Sequence, residues 1–192
     1  MAVPESLTTR DLSAVYVLNK ALTPGDKTDE ILRLQGVGWL TRKAINLATV
    51  TLYVKHYSED SLEHIDIDQA LTGGIGASAE LRVLDWTKRE KEDRIFGHVL
   101  SKSRRIQVNE LGEGYLKKGW TEDTVQNGLI QSYVESDTPK SHTTWAANQT
   151  WGIEVIQGER RYTRHVHFSA GKEVIEVTMV YDYFGPWPAQ SI

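Results

Sequence analysis

The sequence of 192 residues predicts an all-β fold, an antiparallel barrel closed by two short helices. Residues 29–48 contain two helical segments separated by Gly36 and Gly38, and strand-like segments lie on either side. After residue 49 most of the chain alternates between apolar and polar residues, which is typical of antiparallel strands. Short turns join these strands and favour closure of the sheet, because closure leaves no exposed edge. We therefore expect one domain over residues 1–192, with room in the barrel for one small ligand.

The first predicted strand and the helical pair follow from local signals. Alternate apolar residues predict a strand at 11–19, and a turn at 23–26 follows it. Asp26 or Thr28 is the candidate N-cap of the first helix, and Gly36 ends that helix. Apolar residues at helical spacing predict the second helix.

The remaining strands are predicted from the period of two. They cover residues 49–57, 62–69, 78–88, 93–100, 127–137, 142–156, 159–169 and 172–184. We interpret the charged run 87–94 as a solvated turn, Gly73–Gly76 as a flexible break, and 106–125 as an insertion holding a short helix. The inward face of 78–88 and of 129–135 stays open, because both faces mix polar and apolar residues.

Composition excludes several classes of function. The net charge is −4 and no long basic run is present, so we expect no nucleic-acid partner. The absence of cysteine excludes disulfides and thiol chemistry. Residues 1–6 lack the features of a signal peptide, and no apolar run is long enough to span a bilayer. We expect a cytoplasmic monomer or homodimer that uses no cofactor and no metal.

Arg164 is the first candidate catalytic residue. Its face of the strand at 159–169 also carries Tyr162, Val166 and Phe168, which are mostly apolar, so the guanidinium is expected to point inward. A cation in an apolar interior is costly unless it has a ligand or a carboxylate partner. Both explanations stay open.

Tyr181 and Tyr183 are the other candidate catalytic residues. They share a strand face with Met179, which places two phenols in the predicted interior, although buried core tyrosines would show the same pattern. The predicted ligand-binding set is Trp39, Trp86, Tyr133, Trp145, Gln149, Trp151, Tyr162, Phe168 and Met179. The alternative is that these aromatic residues simply fill the core of a sandwich.

His64, Asp66 and Asp68 share one strand face and could form a metal cluster or a general-base site. Ile65 and Ile67 make the opposite face the better core face. A solvated outer face is therefore the preferred interpretation, and no metal site is predicted.

The helical pair and the last strands resemble the fatty-acid-binding proteins. The words Gly36-Val-Gly38 and Thr41-Arg-Lys43 are similar to the lid of that family, and Tyr162-Thr-Arg164-His-Val166 is similar to its penultimate strand, with an inward arginine. Tyr183 matches the family tyrosine, but Tyr181 stands where a second arginine is usual. The resemblance implies an apolar ligand, and one cation with two phenols suits a neutral carbonyl or an enol better than a carboxylate.

Most of the chain is also similar to the lipocalin-like proteins of filamentous fungi, within the calycin superfamily. The resemblance rests on chain length, the lid from Glu30 to Trp39, the run His64–Asp68 and the tryptophan-rich strand 145–151. Some members are pericyclases of polyketide pathways, which implies Diels–Alder-type ring closure of a hydrophobic polyketide-derived substrate. A non-catalytic carrier of a lipid or metabolite is the alternative. A proton-transfer isomerase or cyclase using Glu80 or Asp66 is a third hypothesis.

Overall fold

The computed structural model describes residues 1–73 and 78–187, and in these residues ten strands form one antiparallel sheet. The strands are β1 (Ala14–Leu18), β2 (Val50–Glu59), β3 (Leu62–Leu71), β4 (Ser78–Val83), β5 (Arg89–Asp93), β6 (Gly97–Ile106), β7 (Leu129–Ser136), β8 (Ala146–Ile156), β9 (Glu159–Ala170) and β10 (Glu173–Pro186). Their order is β4-β3-β2-β1-β10-β9-β8-β7-β6-β5. The predicted break at Gly73–Gly76 falls largely outside the described residues.

The sheet rolls into a nearly closed barrel with a seam between its two edge strands. Within the described residues β4 and β5 do not pair with each other. Instead, the Lys91 ammonium donates to the carbonyl oxygen of Ala79 at 2.5 Å. The backbone N–H of Trp86, after β4, donates to the carbonyl oxygen of Ser103 at 2.8 Å. These bonds draw β4 toward β5 and β6. The predicted all-β antiparallel barrel is confirmed.

Two helices cover one opening of the barrel. They are α1 (Gly25–Leu34) and α2 (Trp39–Leu47), and neither has a fully buried residue. Gly36, with φ +84°, makes the turn between them in a region that favours glycine. The Arg42 side chain joins the helices through Asp29 at 3.2 Å, so the pair forms one lid.

The insertion after β6 packs on the outer face of β8 and β9. It contains two 3-10 helices (Val108–Glu110 and Gly114–Lys117) and α3 (Glu122–Asn127), while α4 (Thr138–Ser141) follows β7. Thr163 and His165 face outward from the barrel, as predicted from strand alternation, yet both are buried there together with Glu154. Glu154 accepts hydrogen bonds from both side chains at 2.7 Å, which ties β8 to β9 beneath the insertion.

One sequence prediction about the strands was wrong. The charged run 87–94 was interpreted as a turn between two strands, but Arg89–Asp93 is β5, and the turn follows it. The pairing with β6 supplies the backbone hydrogen bonds, and the strand is an edge strand with alternate exposed positions. Charged side chains are compatible with such an edge, which they protect from pairing with other chains.

A charged cluster ties β2 and β3 to β6. Glu63 lies 2.7 Å from Nε2 of His56 and is hydrogen bonded to Arg105. Nδ1 of His56 accepts the Leu12 N–H, so the neutral ring must carry its proton on Nε2 and donate it to Glu63. Burial raises the pKa of Glu63, but the hydrogen bonds from His56 and Arg105 outweigh this and lower the pKa to about 2.

We expect Glu63→Gln to lower the free energy of unfolding at pH 7 by about 2 kcal/mol. The folded pKa lies below the ordinary value, so the stabilisation by Glu63 is fully present above about pH 4.5 and is lost as the pH falls toward about 2. Urea unfolding at pH 7 and at low pH should show that the difference in unfolding free energy between the variant and the native protein becomes smaller as the pH falls. Glu59→Gln, an exposed carboxylate at the end of β2, is the matched control. A pH-independent difference would contradict this assignment.

Candidate active site

A cavity of about 530 Å³ lies between the lid and the barrel wall. This volume is within the range of small-molecule sites. The apolar lining residues are Leu18, Ile31, Leu32, Ile45, Val50, Leu71, Leu81, Ile95, Phe96, Val99, Val134, Trp145, Ala147, Val166, Val177 and Met179. Polar side chains also line the cavity, and Arg164 is one of them. The inside of the barrel is therefore partly hollow, which the sandwich-core alternative did not foresee.

The Arg164 guanidinium is held on a buried aromatic platform. Only 6% of the residue is exposed, and its Cζ lies 4.1 Å from the centroid of the Trp151 ring. Nε donates to the Tyr162 hydroxyl at 3.0 Å. Nη2 is buried and has no hydrogen-bond partner among the described residues. A buried donor without a partner is costly, so this group is a candidate ligand contact.

Glu80 and Arg82 place a second charged pair in the cavity wall. Nη2 of Arg82 lies 2.7 Å from the Glu80 carboxylate, and Nη1 of Arg82 is buried with no hydrogen-bond partner among the residues described. Burial raises the pKa of Glu80, but the charges of Arg82 and Arg164 outweigh this and lower the pKa to about 2. Taken together, Arg82, Arg164 and Glu80 carry one excess positive charge.

Arg164 stays protonated in this setting. Burial lowers the pKa of Arg164, but Tyr162, Tyr181 and the carboxylate of Glu80 more than offset this and raise it above the ordinary arginine value. The Glu80 carboxylate lies in the cavity wall but does not form a hydrogen bond with Nη2 of Arg164. Both sequence-based explanations of an inward cation, a ligand and a carboxylate, are therefore compatible with the observed site.

Tyr181 supplies a neutral hydroxyl beside the cation. It is 2% exposed, lines the cavity, and its ring centroid lies 5.5 Å from Cζ of Arg164. Burial raises the pKa of Tyr181 to about 12, although Arg164 acts in the opposite direction. Within the part of the chain that the structure describes, the hydroxyl has only a weak contact of 4.0 Å to the sulfur of Met179. It is therefore available as a donor to a bound molecule.

Five of the sequence-predicted site residues line the cavity: Arg164, Tyr181, Trp145, Gln149 and Met179. Four more are inside the barrel but do not reach the cavity surface: Trp151, Tyr162, Phe168 and Tyr183. Trp151, Tyr162 and Phe168 are almost completely buried, and Tyr183 packs edge-on against Tyr16 at 6.4 Å between ring centroids. The prediction that Trp151 forms a ligand-facing wall was wrong, because Arg164 covers the indole face.

Trp39, Trp86 and Tyr133 do not line the cavity, and their predicted position at the ligand was wrong. Trp39 is 60% exposed on the outer side of α2. Trp86, with φ 60°, is outside the barrel, and Lys102 stacks on its ring at 4.2 Å and on that of Tyr133 at 5.4 Å. The next residue, Val134, takes the inward position on β7.

Sequence reasoning left the inward face of β4 open and named Glu80 only conditionally. Arg82 was not named as a site residue. The register with β3 resolves the face: Ile65 is opposite Arg82 and Ile67 is opposite Glu80. Directly paired residues share a sheet face, and both isoleucines are almost fully buried inside the barrel. Knowledge of the pairing between β3 and β4 would have identified the inward face of β4.

The other carboxylate named from the sequence, Asp66, is on the outer face. It accepts a hydrogen bond from the Tyr57 hydroxyl at 3.1 Å, and the Tyr57 ring stacks on His64. Asp68 is exposed. The preferred interpretation of a solvated outer face is confirmed. Across residues 1–73 and 78–187, no group of three His, Asp or Glu side chains is placed to hold a metal ion.

The described part of the chain contains no helix long and apolar enough to cross a membrane.

Two curated fungal proteins match the chain along nearly its whole length. The probable pericyclase scpY of Mollisia scopiformis is 31% identical over 194 residues, which cover 99% of this chain and 98% of the relative. The pericyclase pydY of an Acremonium species is 25% identical over 190 residues, covering 97% and 98%. No protein-family model matches the sequence.

Two solved structures with a similar fold are named as a lipid binding protein and a fatty acid binding protein. Apo lipid binding protein 8 of Caenorhabditis elegans aligns with a TM-score of 0.56 at 13% identity, covering 89% of this chain and 94% of that protein. A fatty acid binding protein of Schistosoma mansoni in complex with arachidonic acid gives a TM-score of 0.54 at 11% identity, with the same coverage. At these identities the likeness shows the fold alone.

Proposed function

The chain belongs to the family of the pericyclases that it matches, and we propose that it is itself a pericyclase that closes a ring in a hydrophobic, polyketide-derived substrate. The substrate would occupy the cavity beneath the lid. The observation that carries this proposal is a cavity with mostly apolar walls and a buried, incompletely hydrogen-bonded cation, Arg164, in its wall. Family membership supports the reaction type, and the cavity supports the location of the site.

The apolar wall accounts for the first part of the mechanism. A pericyclic reaction needs the two reacting ends of a chain to approach in one folded conformer. A cavity of about 530 Å³ limits the conformers that a flexible polyene can adopt. Holding the reacting ends together removes most of the entropic part of the barrier. We infer that Trp145, Ala147 and Val166 form the surface against which the substrate folds.

Arg164 and Tyr181 account for the second part. A substrate carbonyl beside Arg164 can accept the unused Nη2–H, and the Tyr181 hydroxyl can donate to the same oxygen or to a neighbouring one. These bonds withdraw electron density from a conjugated double bond and make it a better dienophile. They also stabilise negative charge that develops on the oxygen in the transition state. The reaction requires no covalent intermediate.

The proton-transfer hypothesis is the weaker one for this cavity. Glu80 is the carboxylate at the cavity wall that was named from the sequence, but its pKa of about 2 makes it a poor base at neutral pH. The carrier hypothesis fits the fold, since a protein of this architecture is known with arachidonic acid bound. It leaves the family relationship to two pericyclases without an explanation.

We expect the turnover rate to be independent of pH between about 5 and about 9. Glu80 loses its proton near pH 2 and keeps its negative charge at higher pH, Tyr181 keeps its proton up to about pH 12, and Arg164 remains a cation throughout. The measurement is the single-turnover rate across this range, with circular dichroism at each pH as a control for folding. A bell-shaped profile would instead favour proton transfer by a side chain of the cavity.

The direct test is to recover the small molecules that co-purify with the protein and to follow their fate. A pericyclase converts a linear polyene into a ring-closed isomer of the same mass, and the loss of conjugation lowers the polyene absorbance. Ring closure faster than in buffer supports the proposal, whereas recovery of the unchanged molecule supports the carrier. The cytoplasmic location and the monomeric or homodimeric state remain predictions, to be tested by fractionation and by light scattering.

A further inference from the structure

Trp151 does not line the cavity, yet it contacts two side chains that do. It is opposite Arg164 in the pairing of β8 with β9, and the Arg164 guanidinium lies on its ring. Its indole Nε1 donates to Oε1 of Gln149, two residues earlier on β8, at 3.0 Å. The three side chains therefore lie next to one another, with Trp151 beneath the other two.

The hydrogen bond from Trp151 determines which way the Gln149 amide points. An indole N–H is only a donor, so the amide must present its oxygen to Trp151. The Nε2 group, which carries two hydrogens, is then directed away from the indole. Gln149 lines the cavity, and its Nε2 has no hydrogen-bond partner among the described residues. Its donors are therefore free for a molecule in the cavity.

We propose that Trp151 is a positioning residue, which orients the Gln149 amide and the Arg164 guanidinium as a pair of donors for one acceptor group. Gln149 is then a second binding residue for the substrate carbonyl. This inference rests on the proposed function only in that the substrate carries such a carbonyl. The pair selects head groups that accept hydrogen bonds and disfavours head groups that only donate.

Two neutral probes with the same aromatic body test this proposal without any turnover. One is 6-propionyl-2-(dimethylamino)naphthalene, a ketone whose emission moves to longer wavelength when its carbonyl accepts hydrogen bonds. The other carries a propyl group in place of the propionyl group. We expect the native protein to bind the ketone more tightly than the hydrocarbon. Equal affinities would overturn the proposal.

Trp151→Phe keeps an aromatic ring beneath Arg164 but removes the N–H that orients Gln149. We expect about tenfold weaker binding of the ketone, a shift of its emission to shorter wavelength, and little change for the hydrocarbon. In a Gln149→Leu background, Trp151→Phe should weaken ketone binding clearly less, because the hydrogen-bond partner of the indole is already absent. Equal weakening of both probes would indicate a structural role alone and would overturn the proposal.

Tyr16→Phe is the matched control. It also removes one buried hydrogen bond, from the Tyr16 hydroxyl to the Leu12 carbonyl, but this hydroxyl is not hydrogen bonded to Gln149 or Arg164. The Tyr16→Phe variant should prefer the ketone over the hydrocarbon as strongly as the native protein does. If Trp151→Phe does not fold, Gln149→Leu alone tests the proposal. Should Gln149→Leu still prefer the ketone over the hydrocarbon as strongly as the native protein, the proposal is overturned. Ketone selectivity without ring closure would reject the pericyclase proposal and leave this one intact.

Discussion

Arg164→Met is expected to lower the rate of ring closure by about 100-fold while leaving the protein folded. Methionine retains an unbranched, flexible side chain over Trp151 but removes every guanidinium donor. The Glu80 carboxylate keeps Arg82 as its partner, at 2.7 Å, so the substitution does not leave an isolated buried anion. The loss should therefore appear in the chemical step far more than in the free energy of unfolding.

The measurement is the single-turnover decay of the polyene absorbance, with thermal unfolding of the same samples. Arg161→Met is the matched control, since Arg161 lies three residues earlier on β9 and forms ion pairs with Glu159 and Asp182 on the outer face. That variant should turn over at nearly the native rate. An unchanged rate in Arg164→Met would remove the residue from the mechanism, and preorganisation by the cavity would then have to supply the whole acceleration.

Ala147→Trp is expected to reduce both ligand binding and turnover more than about 100-fold. Ala147 is on β8, 5% exposed, and lines the cavity. An indole at this position would project into the space that we assign to the folded substrate. The cavity of about 530 Å³ accommodates the added ring, so the overpacking cost that a large residue incurs in a filled core should be small.

Ala146→Trp is the control for this substitution, because Ala146 precedes Ala147 and faces the other side of the sheet. It should bind the naphthyl ketone and convert substrate as the native chain does. Full activity of Ala147→Trp would place the reaction elsewhere and would contradict the assignment of the cavity as the active site. Comparison of the two variants separates blockage of the cavity from a general effect of a new tryptophan.

The strand alternation predicted much of the interior correctly. Inward positions on β8 and β9, including Gln149 and Arg164, followed directly from parity, as did that of Trp145 just before β8. The lid followed from helical spacing interrupted by Gly36. These features are local, because the period of a strand or helix is expressed in the order of residues along one segment.

The errors have a common physical origin in the arrangement of segments. Trp86 and Tyr133 were assigned to the ligand because aromatic residues are typical of a binding wall, but each lies outside the barrel beside Lys102. Trp151 has the predicted face and still does not reach the cavity, because Arg164 lies across it. The period of a single segment encodes neither the covering of one side chain by another nor the position of a strand at the edge of the sheet.

The sequence by itself determined the fold class, the lid and the inward cation, because each depends on periodicity and spacing within a short stretch of chain. Only the tertiary structure decided that Glu80 and Arg82 join that cation at the cavity wall. On β4 the exposed positions are Ala79 and Leu81, the latter 73% accessible, while Glu80 and Arg82 between and after them point inward, which reverses the usual hydrophobic pattern. That reversal is imposed by pairing with Ile65 and Ile67 of β3, and the Glu80 carboxylate comes close to the guanidinium groups of Arg82 and Arg164 only once the strands are assembled.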